Sequence, residues 1–459
     1  MHPSQEQSTS LLQRRDVFLG LSLTEFWERF ALAGLKSMLT VLLVEQLIPQ
    51  SDSIHGFDFL CSLLDRRTDV PNSPVALASQ IYGFTNALVY LSIPIGGLIG
   101  DLLLGRRGSV LTGGASMIAG LLLMVSITGF LLGLILFAAG TGLLKGNLSV
   151  QLGSLFESET QRRKAYSYYL VFLNVGVVCG PLALGSVALL AGWQIALGLA
   201  AGGLALALAI YIAIVGGKYR SANSSANSPQ APSGRDTEPQ GAGYVVAMTR
   251  LCVGVIATYL CFAAYGQIAN IVLVWSQQRV DLSMGEWDTP VGWILAMDGL
   301  LTILLIFASQ AVFRYLSKRG IQIGPLTQIG LGCVMCAAGY LVLAYGESAT
   351  GGSVSPLLLL GYLVLIDLAV VLVWPSGLSL ATSLAPKGQT GLWVGLFYLH
   401  GFFASLWVGW IGTHFEAMDS TAFWLVHSAV SACGAVLIII SLLFPVVARR
   451  NAYATTISA

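Results

Sequence analysis

The chain has 459 residues, of which 55% are hydrophobic and only 10% are charged, and its mean hydropathy is +0.77. A soluble globular protein has about 25% charged residues, so this composition excludes a water-soluble fold and places most of the chain in a membrane. The formal net charge of +1 gives no indication of a nucleic-acid partner.

Twelve runs of mostly apolar residues are long enough to cross a bilayer, which takes about 20 residues per helix. The polar stretch before them, residues 1–16, lacks the apolar core of a signal peptide. In chain order the predicted spans are 17–46, 78–104, 108–129, 131–155, 165–190, 193–216, 246–277, 290–316, 323–346, 355–384, 391–413 and 420–447. The sequence therefore predicts an all-α polytopic membrane protein.

The charges between the spans alternate in sign. One side carries Arg14, Arg15, Arg106, Arg107, Arg162, Arg163, Lys164, Lys218, Arg220, Arg314, Lys318, Arg319, Lys387, Arg449 and Arg450. The other side carries mainly Asp52, Asp58, Asp281, Glu286, Asp288, Glu347, Glu416 and Asp419. Two mixed loops, around Arg66/Arg67 and Arg279, are balanced by nearby acids. The positive-inside rule then predicts two cytoplasmic termini, with tails at 1–16 and 449–459.

Residues 221–243 interrupt the apolar pattern with a stretch rich in Ser, Pro, Gly and Asn. Such a composition cannot bury enough apolar surface to offset the entropy of ordering, so it predicts a flexible cytoplasmic linker. The linker, placed at 217–245, separates an N-terminal six-helix bundle (17–216) from a C-terminal one (246–448). Transporters with two such halves bind substrate near the membrane midplane between them.

The first span contains four ionisable residues, Glu25, Glu28, Arg29 and Lys36. A charge at the centre of a membrane helix costs about 2.5–3.5 kcal/mol on insertion scales, so it persists where it faces a polar cavity or a partner. Spacings of three and four place the first three residues on one helix face, and Lys36 follows about 10 Å further along. Two acids beside an arginine make protonation competitive, which suits proton coupling. A static salt-bridge cluster explains the spacing equally well.

Three further charges lie inside predicted spans. Lys145, in the fourth span, could bind a substrate carboxylate or pair with Glu25 or Glu28; the alternative is a lysine that snorkels to the interface. Asp298 and Asp367 place acids in the eighth and tenth spans, where they could meet a substrate ammonium group or titrate with transported protons. For Asp367, pairing with a neighbouring helix is nearly as good an interpretation.

The segment "GGLIGDLLLGRRGS" at 96–109 supplies Asp101, Arg106 and Arg107 at the end of the second span. An acid next to a pair of arginines at a helix end can latch two helices in one conformation and release them in another. We therefore predict a gating role for these three residues.

Several motifs carry a resemblance to known proteins. GxxxDxxxGRR, between the second and third spans, resembles the signature of the major facilitator superfamily. ExxERF at 25–30, followed by Gly34, resembles the first-helix motif of the proton-dependent oligopeptide transporters. The stretches "GTGLLKGNLSVQLGSLF", "YYLVFLNVGVVCGPL" and "PSGLSLATSLAPKGQTGLWVGLFYL" also resemble that family. The resemblance implies the major facilitator fold.

The resemblance also implies roles for individual residues. Glu25, Glu28 and Arg29 would couple protons, and Lys145 would pair with them or bind a carboxylate. Lys36 would stand where the family has an arginine that meets the C-terminus of the peptide. Asn174 would match an asparagine on the family's fifth helix that lies at the ligand. Gln267 would match the glutamine of an acid–Gln pattern on the family's seventh helix.

The chain departs from the family's pattern in the expected pocket. Leu32 and Ala33 replace a tyrosine pair, and Gly266 replaces the acid before Gln267. The tenth-helix glutamate that receives the peptide's amino terminus falls on Val370. Asp367 lies one turn away and Asp298 occupies the place of an eighth-helix asparagine, so either could compensate. The extra helix pair usual in bacterial members has no room. The chain resembles an atypical member of the family.

The leading interpretation is a proton-coupled symporter of small peptides or peptide-like amide compounds that works by alternating access, with protons as coupling ion and no cofactor. The alternative is a transporter of another amino-acid-derived metabolite, including an exporter. A non-transporting receptor or assembly factor has little reason to keep buried charges. An enzyme is disfavoured because no nucleophile–base pair or metal-ligand spacing occurs. We expect a monomer in the bacterial inner membrane whose partners are lipid and a small-molecule or peptide substrate.

Overall fold

The computed structural model describes residues 3–65, 73–156, 159–215, 242–284, 287–350, 353–384 and 390–457. Most of the predicted linker, 217–245, lies outside these ranges. Within them the chain is nearly all helical, as predicted, and the only strands form one short antiparallel pair.

The described residues up to 215 form seven α-helices. They are α1 (Pro3–Leu42), α2 (Phe57–Asp65), α3 (Pro74–Ile99), α4 (Gly105–Met124), α5 (Phe130–Ser154), α6 (Glu159–Ala191) and α7 (Trp193–Ile210). Short π-helical turns follow α1, α3 and α7 at Leu43–Leu47, Gly100–Leu104 and Tyr211–Val215, and a 3-10 turn covers Ile48–Ser53. Helix α1 extends into the predicted N-terminal tail.

The second part contains seven more α-helices among the described residues. They are α8 (Ala242–Tyr265), α9 (Ile271–Arg279), α10 (Trp293–Lys318), α11 (Pro325–Thr350), α12 (Pro356–Leu384), α13 (Thr390–Gly412) and α14 (Ser420–Ile457). The strands β1 (Ser283–Met284) and β2 (Trp287–Asp288) lie between α9 and α10. Helix α14 extends into the predicted C-terminal tail.

Eleven stretches of the described residues are long and apolar enough to cross a membrane. One of them, Pro74–Met124, covers the second predicted run and most of the third, because α3 and α4 are joined through a π-helical turn. The helices meet at Gly105, whose φ of +69° is a conformation that glycine adopts without strain. The count of twelve spans and the cytoplasmic position of both termini stay predictions.

The seventh predicted run, 246–277, is not one continuous helix. Helix α8 ends at Tyr265, a 3-10 turn covers Gly266–Ala269, and α9 begins after Asn270, whose φ and ψ are −126° and −104°. Gln267 donates Nε2 to the carbonyl oxygen of Val408 on α13 at 3.1 Å and accepts from Asn270 Nδ2 at 3.1 Å. The helix breaks where Gly266 weakens it. The amide side chains of Gln267 and Asn270 form hydrogen bonds beside the break.

The described residues fall into two compact units. Unit 1 comprises those of Met1–Ala231 and Leu282–Leu300, and unit 2 comprises those of Pro232–Asp281 and Leu301–Ala459. The first turns of α10 therefore belong with the first unit, although the predicted C-terminal bundle includes them. The predicted domain boundaries otherwise stay predictions.

Glycines allow the helices of unit 1 to pack backbone against backbone. A Cβ atom on Gly176 of α6 would lie 2.4 Å from the carbonyl oxygen of Phe26 on α1, and one on Gly180 would lie 2.3 Å from that of Phe30. No residue larger than glycine fits at such distances without a shift of the helices. These contacts fix α1 and α6 side by side in one register, with residue numbers rising in the same direction.

Helix α5 packs equally closely on α3. Ser92 donates its hydroxyl to the carbonyl oxygen of Ala138 at 2.8 Å, and Asn147 donates Nδ2 to that of Gly96 at 2.9 Å. A Cβ atom on Gly142 would lie 2.2 Å from the carbonyl oxygen of Ser92. Side-chain hydrogen bonds and small residues together hold these helices at close range.

Candidate functional site

A buried ion-pair network occupies one face of α1. Arg29 Nε lies 2.9 Å from Glu25 Oε1 and 2.9 Å from Glu28 Oε2. Tyr169 of α6 donates its hydroxyl to Glu25 Oε2 at 2.6 Å. The exposed fraction is 1% for Glu25, 0% for Glu28 and 9% for Arg29. The predicted face of α1 thus forms one network with Arg29 at its centre.

The two acids of this network are held differently. Glu25 accepts hydrogen bonds from both Arg29 and Tyr169. Neither carboxylate oxygen of Glu28 has a hydrogen-bond partner among the described residues, so its contact with Arg29 is an ion pair of poor hydrogen-bond geometry. A buried carboxylate without hydrogen bonds is under-compensated. Glu28 is therefore the acid of the pair that gains more from neutralisation.

Lys145 lies on α5 near this network. It is half-buried and interacts electrostatically with Glu25, Glu28 and Arg29. The described residues provide no ion pair for it. The predicted direct pairing of Lys145 with Glu25 or Glu28 is therefore not seen among the described residues. The role of Lys145 toward a substrate carboxylate stays a prediction.

Lys36 lies further along α1 and faces a narrow pocket. Leu32, Lys36, Tyr82 and Asn86 are among the residues that line it. The Nζ atom is 6.0 Å from the ring centroid of Tyr90, at the outer limit of a cation–π contact. Leu32, at one of the positions where the family has tyrosines, makes this end of the pocket apolar.

Asp298 and Asn174 belong to unit 1, the unit that also contains Lys36 and the ion-pair network of α1. Asp298 is 9% exposed and lies on the first turns of α10, where it interacts electrostatically with Tyr82. Asn174 is half-buried on α6 and donates Nδ2 to the carbonyl oxygen of Leu170 in its own helix at 2.8 Å. The predicted roles of both residues toward substrate stay predictions.

The other two candidates lie in unit 2. Asp367 on α12 is fully buried and accepts a hydrogen bond from the hydroxyl of Thr302 on α10 at 2.9 Å. Gln267 is also fully buried, beside the break between α8 and α9. Val370, where the family has its tenth-helix glutamate, is half-buried.

The predicted gating residues lie where α3 meets α4. Arg106 Nε is 3.5 Å from Asp101 Oδ1, and the two side chains are 34% and 63% exposed. Arg107 is exposed. The carbonyl oxygen of Arg106 accepts a hydrogen bond at 3.0 Å from Gln151, which in turn accepts one from Tyr211 at 2.8 Å. The turn is thus fixed to α5 and to the end of α7.

Sequence reasoning missed the tyrosines and the threonine of these sites. Tyr169 is 144 residues from Glu25 in the chain, and Thr302 is 65 residues from Asp367. Tyr82 and Tyr90 stand in an apolar run whose composition gives no sign of a nearby charge. A signal for Tyr169 did exist, because it falls in "YYLVFLN", the stretch that also contains Asn174.

Metal ligands do not cluster in the part of the chain that the structure describes. No group of three or more His, Cys, Asp or Glu side chains there is placed to hold a metal ion. The CxxC pair Cys333 and Cys336 is buried, and each sulfur lies against a backbone carbonyl oxygen.

Comparisons with known proteins agree with this architecture. A sequence model of the Major Facilitator Superfamily matches residues 56–409. The peptide transporter YePEPT of Yersinia enterocolitica subsp. palearctica serotype O:3 (strain YE-P4) is 26% identical over 499 residues, covering 92% of this chain and 93% of that protein.

Two solved structures show the same fold. A crystal structure of a peptide transporter POT mutant in complex with alafosfalin matches with a TM-score of 0.78 and 22% identity, over 92% of this chain and 94% of that one. A POT family transporter in complex with 5-aminolevulinic acid matches with a TM-score of 0.75 and 18% identity, over 92% and 95%.

These relatives are transporters, which confirms the prediction that the chain is not an enzyme. The eleven candidate spans make it a multi-pass membrane protein, and a bacterial inner membrane is consistent with the bacterial source of the relative. The superfamily match covers more than half of the chain. The chain belongs to the major facilitator superfamily, and within it the chain is similar to a peptide transporter and to solved structures of the POT family.

Proposed function

We propose that this protein is a proton-coupled symporter that moves small peptides or peptide-like amide compounds by alternating access. It works as a monomer, with protons as the coupling ion and no other cofactor. The names of its relatives support the substrate class, because one is a peptide transporter and another binds the peptide-like compound alafosfalin.

The observation that carries the proposal is the unequal pairing of Glu25 and Glu28 around Arg29. One guanidinium Nε lies equally close to both carboxylates, but only Glu25 has hydrogen bonds. A proton taken up by Glu28 removes one charge of the ion pair and leaves Arg29 bound to Glu25 alone. Charged groups this deep in a membrane protein are costly and are typical of proton relays.

The half-buried lysines connect substrate to this network. Lys145 interacts electrostatically with both acids and has no direct ion pair among the described residues. A substrate carboxylate bound by Lys145 or Lys36 would compete with Glu25 and Glu28 for positive charge. Substrate and proton thus act on the same ion pairs, and their binding is coupled because each changes the charge that the other meets.

A transporter of another amino-acid-derived metabolite, including an exporter, is the second candidate function. Three departures from the family's pattern favour it. Leu32 and Ala33 stand where the family has tyrosines, and Val370 stands where it has the acid that receives the peptide's amino terminus. A solved structure of the same fold is in complex with 5-aminolevulinic acid, an amino acid rather than a peptide.

Uptake by the purified protein in proteoliposomes tests the proposal. With an imposed inward proton gradient, we expect alanyl dipeptides to accumulate inside and to carry protons, detected with a pH-sensitive dye in the lumen. Collapse of the gradient with a protonophore should abolish accumulation. If no dipeptide moves protons while an amino-acid-derived metabolite does, the second candidate replaces the first. If neither moves, the transporter proposal is wrong.

A further inference from the structure

A stripe of exposed side chains runs along α10 and changes from apolar to basic. Leu304, Phe307 and Ala311 form its apolar part, and Arg314 and Lys318 form its basic end. Spacings of three and four place all five on one helix face. In a bilayer the apolar part of such a face lies against lipid tails, whereas lysine and arginine reach the headgroups. The last turn of α10 therefore lies at the level of the lipid phosphates.

The turn after α10 adds a third cation and fixes its position. Gly320 adopts a φ of +79°, and the N–H of Ile321 donates to the carbonyl oxygen of Leu316 at 3.0 Å, which closes the helix end. The Cζ atom of Arg319 lies 4.5 Å from the ring centroid of Tyr315. A guanidinium stacked on an aromatic face still presents the N–H groups of its edge to an anion.

A cavity of about 220 Å³ lies beside these cations. Its lining is partly apolar and partly polar and includes Phe313, Leu316, Ser317, Ile321, Gln322 and Gln328. Gln328 of α11 donates Nε2 to the carbonyl oxygen of Ile323 at 2.9 Å and accepts from the hydroxyl of Ser376 on α12 at 2.9 Å. A Cβ atom on Gly324 would meet nothing within 4 Å. The cavity thus has a fixed polar wall next to a turn that the described residues leave uncovered.

The acids of unit 2 lie far from this cavity. Those among the described residues are Asp281, Glu347, Asp367, Glu416 and Asp419. Glu347 lies 22 residues after the start of α11, about 33 Å away at 1.5 Å per residue. It pairs with Arg279 at 3.3 Å, so Asp281, two residues beyond Arg279, lies at the same far end. Asp367 is buried inside the unit against Thr302.

The packing of α14 on α11 places the last two acids at that far end as well. Ser428 donates its hydroxyl to the carbonyl oxygen of Ala337, and Ser431 donates to that of Cys333. Residue numbers on α11 fall as those on α14 rise, so the two helices are antiparallel. The start of α14, which follows Glu416 and Asp419 directly, therefore lies near the end of α11. Among the described residues of unit 2, the basic end of α10 has no acid to neutralise it.

We propose that this end of α10 binds an anionic phospholipid of the phosphatidylglycerol type. Arg314, Lys318 and Arg319 hold the phosphate, and the glycerol headgroup enters the cavity beside Ser317. The acyl chains lie along the apolar part of the stripe. Basic pockets at the ends of membrane helices suit such headgroups. A positive helix end alone would attract any anion of the membrane surface, whereas the cavity adds a requirement for shape. The inference does not depend on the proposed transport function.

Native mass spectrometry of the purified full chain in detergent tests the site by counting bound lipids. The probes are dioleoylphosphatidylglycerol and dioleoylphosphatidylcholine, which share their acyl chains and differ in net charge. We expect the wild type to bind the anionic lipid about tenfold or more tightly. Lys318→Gln should weaken this binding about fivefold, and the triple variant Arg314→Gln/Lys318→Gln/Arg319→Gln should remove the preference. Equal binding of the two lipids by the wild type would overturn the proposal.

Further variants separate a built site from general charge. Arg15→Gln, at an exposed arginine of α1, is the matched control for Lys318→Gln and should bind as the wild type does. Ser317→Phe fills the cavity but keeps every cation, and it should reduce the preference for the anionic lipid. The proposal is wrong if Arg15→Gln weakens binding as much as Lys318→Gln, or if Ser317→Phe binds like the wild type.

Two more measurements identify the occupant and check the fold. Unchanged binding of dioleoylphosphatidylcholine by the triple variant shows that the variant is folded, because this lipid carries no net charge for the cations to attract. Glycerol phosphate, added as a soluble competitor at the concentration of the lipid, should displace little of the bound phosphatidylglycerol. Complete displacement would show that the occupant is a free phosphate compound, which contradicts a lipid site.

Discussion

Tyr169 on α6 donates its hydroxyl to Oε2 of Glu25 on α1 at 2.6 Å. The contact depends on the register of the two helices, which Gly176 and Gly180 fix by close approach to the backbone of α1. It gives Glu25 a second hydrogen-bond donor besides Arg29, whereas Glu28 has no hydrogen bond among the described residues. Helix packing thus makes two neighbouring acids unequal.

Removal of the Tyr169 hydroxyl should weaken this junction. Tyr169→Phe leaves the ring in place but deprives a buried carboxylate of a donor, and hydrogen bonds to charged groups contribute about 1.5–3 kcal/mol. We expect a lower midpoint of thermal unfolding in detergent, measured by tryptophan fluorescence. Tyr168→Phe is the matched control, because Tyr168 is 65% exposed. Equal midpoints for the two variants would show that the bond contributes nothing.

The packing of α3 on α5 should not tolerate even one added methyl group. Gly142→Ala would place Cβ 2.2 Å from the carbonyl oxygen of Ser92, and overpacking costs about 1–3 kcal/mol. Gly198→Ala, where a Cβ atom meets nothing within 4 Å, should be neutral or slightly stabilising because alanine favours a helix. Size-exclusion profiles after heating compare the two. A Gly142→Ala protein as stable as the Gly198→Ala protein would contradict the described contact.

The hydroxyl of Thr302 should matter for stability through Asp367. Thr302→Val preserves the shape and removes the donor to a fully buried acid, which should lower the free energy of unfolding by about 1–3 kcal/mol. Thr382→Val removes a hydroxyl that bonds only within its own exposed turn and should have little effect. The difference is measured from denaturant unfolding in detergent. If the two variants unfold together, Asp367 does not depend on Thr302.

A substitution at the ion pair Asp101–Arg106 distinguishes a role in gating from a role in stability. An ion pair this exposed is worth about 0–1 kcal/mol, so Asp101→Asn should leave the unfolding midpoint almost unchanged. If the pair acts as a latch, the same variant should slow exchange in proteoliposomes. Wild-type exchange in this variant would remove Asp101 from the gate, whereas a large loss of stability would show that the acid is structural.

The periodicity of charged residues in the sequence was sufficient to predict the ion-pair network at the centre of the site. The spacing of Glu25, Glu28 and Arg29 predicts a shared face, and Arg29 contacts both acids in the structure. The contribution of Tyr169 could not be predicted, because it depends on a register that only the packed helices define. The sequence also left open whether Lys145 pairs with the acids, a question of side-chain reach.

Hydropathy located the spans better than it described their backbones. The predicted run 246–277 is mostly apolar, yet the helix breaks between Tyr265 and Ile271. Mean hydropathy does not register backbone angles such as those of Asn270, and Gly266 alone is a weak helix breaker. For the same reason, composition gave no sign that Trp293–Leu300 of α10 would group with the first unit.

The central claim is that a proton on Glu28 drives substrate movement, and one comparison tests it most directly. Gradient-driven accumulation and counterflow exchange of alanyl-alanine are measured side by side in proteoliposomes that contain the wild type, Glu28→Gln or Glu45→Gln, the last at an exposed glutamate of the same chain segment. We expect Glu28→Gln to exchange substrate but not to accumulate it, and Glu45→Gln to do both. Equal loss of exchange and accumulation in Glu28→Gln, or normal accumulation, would contradict the account.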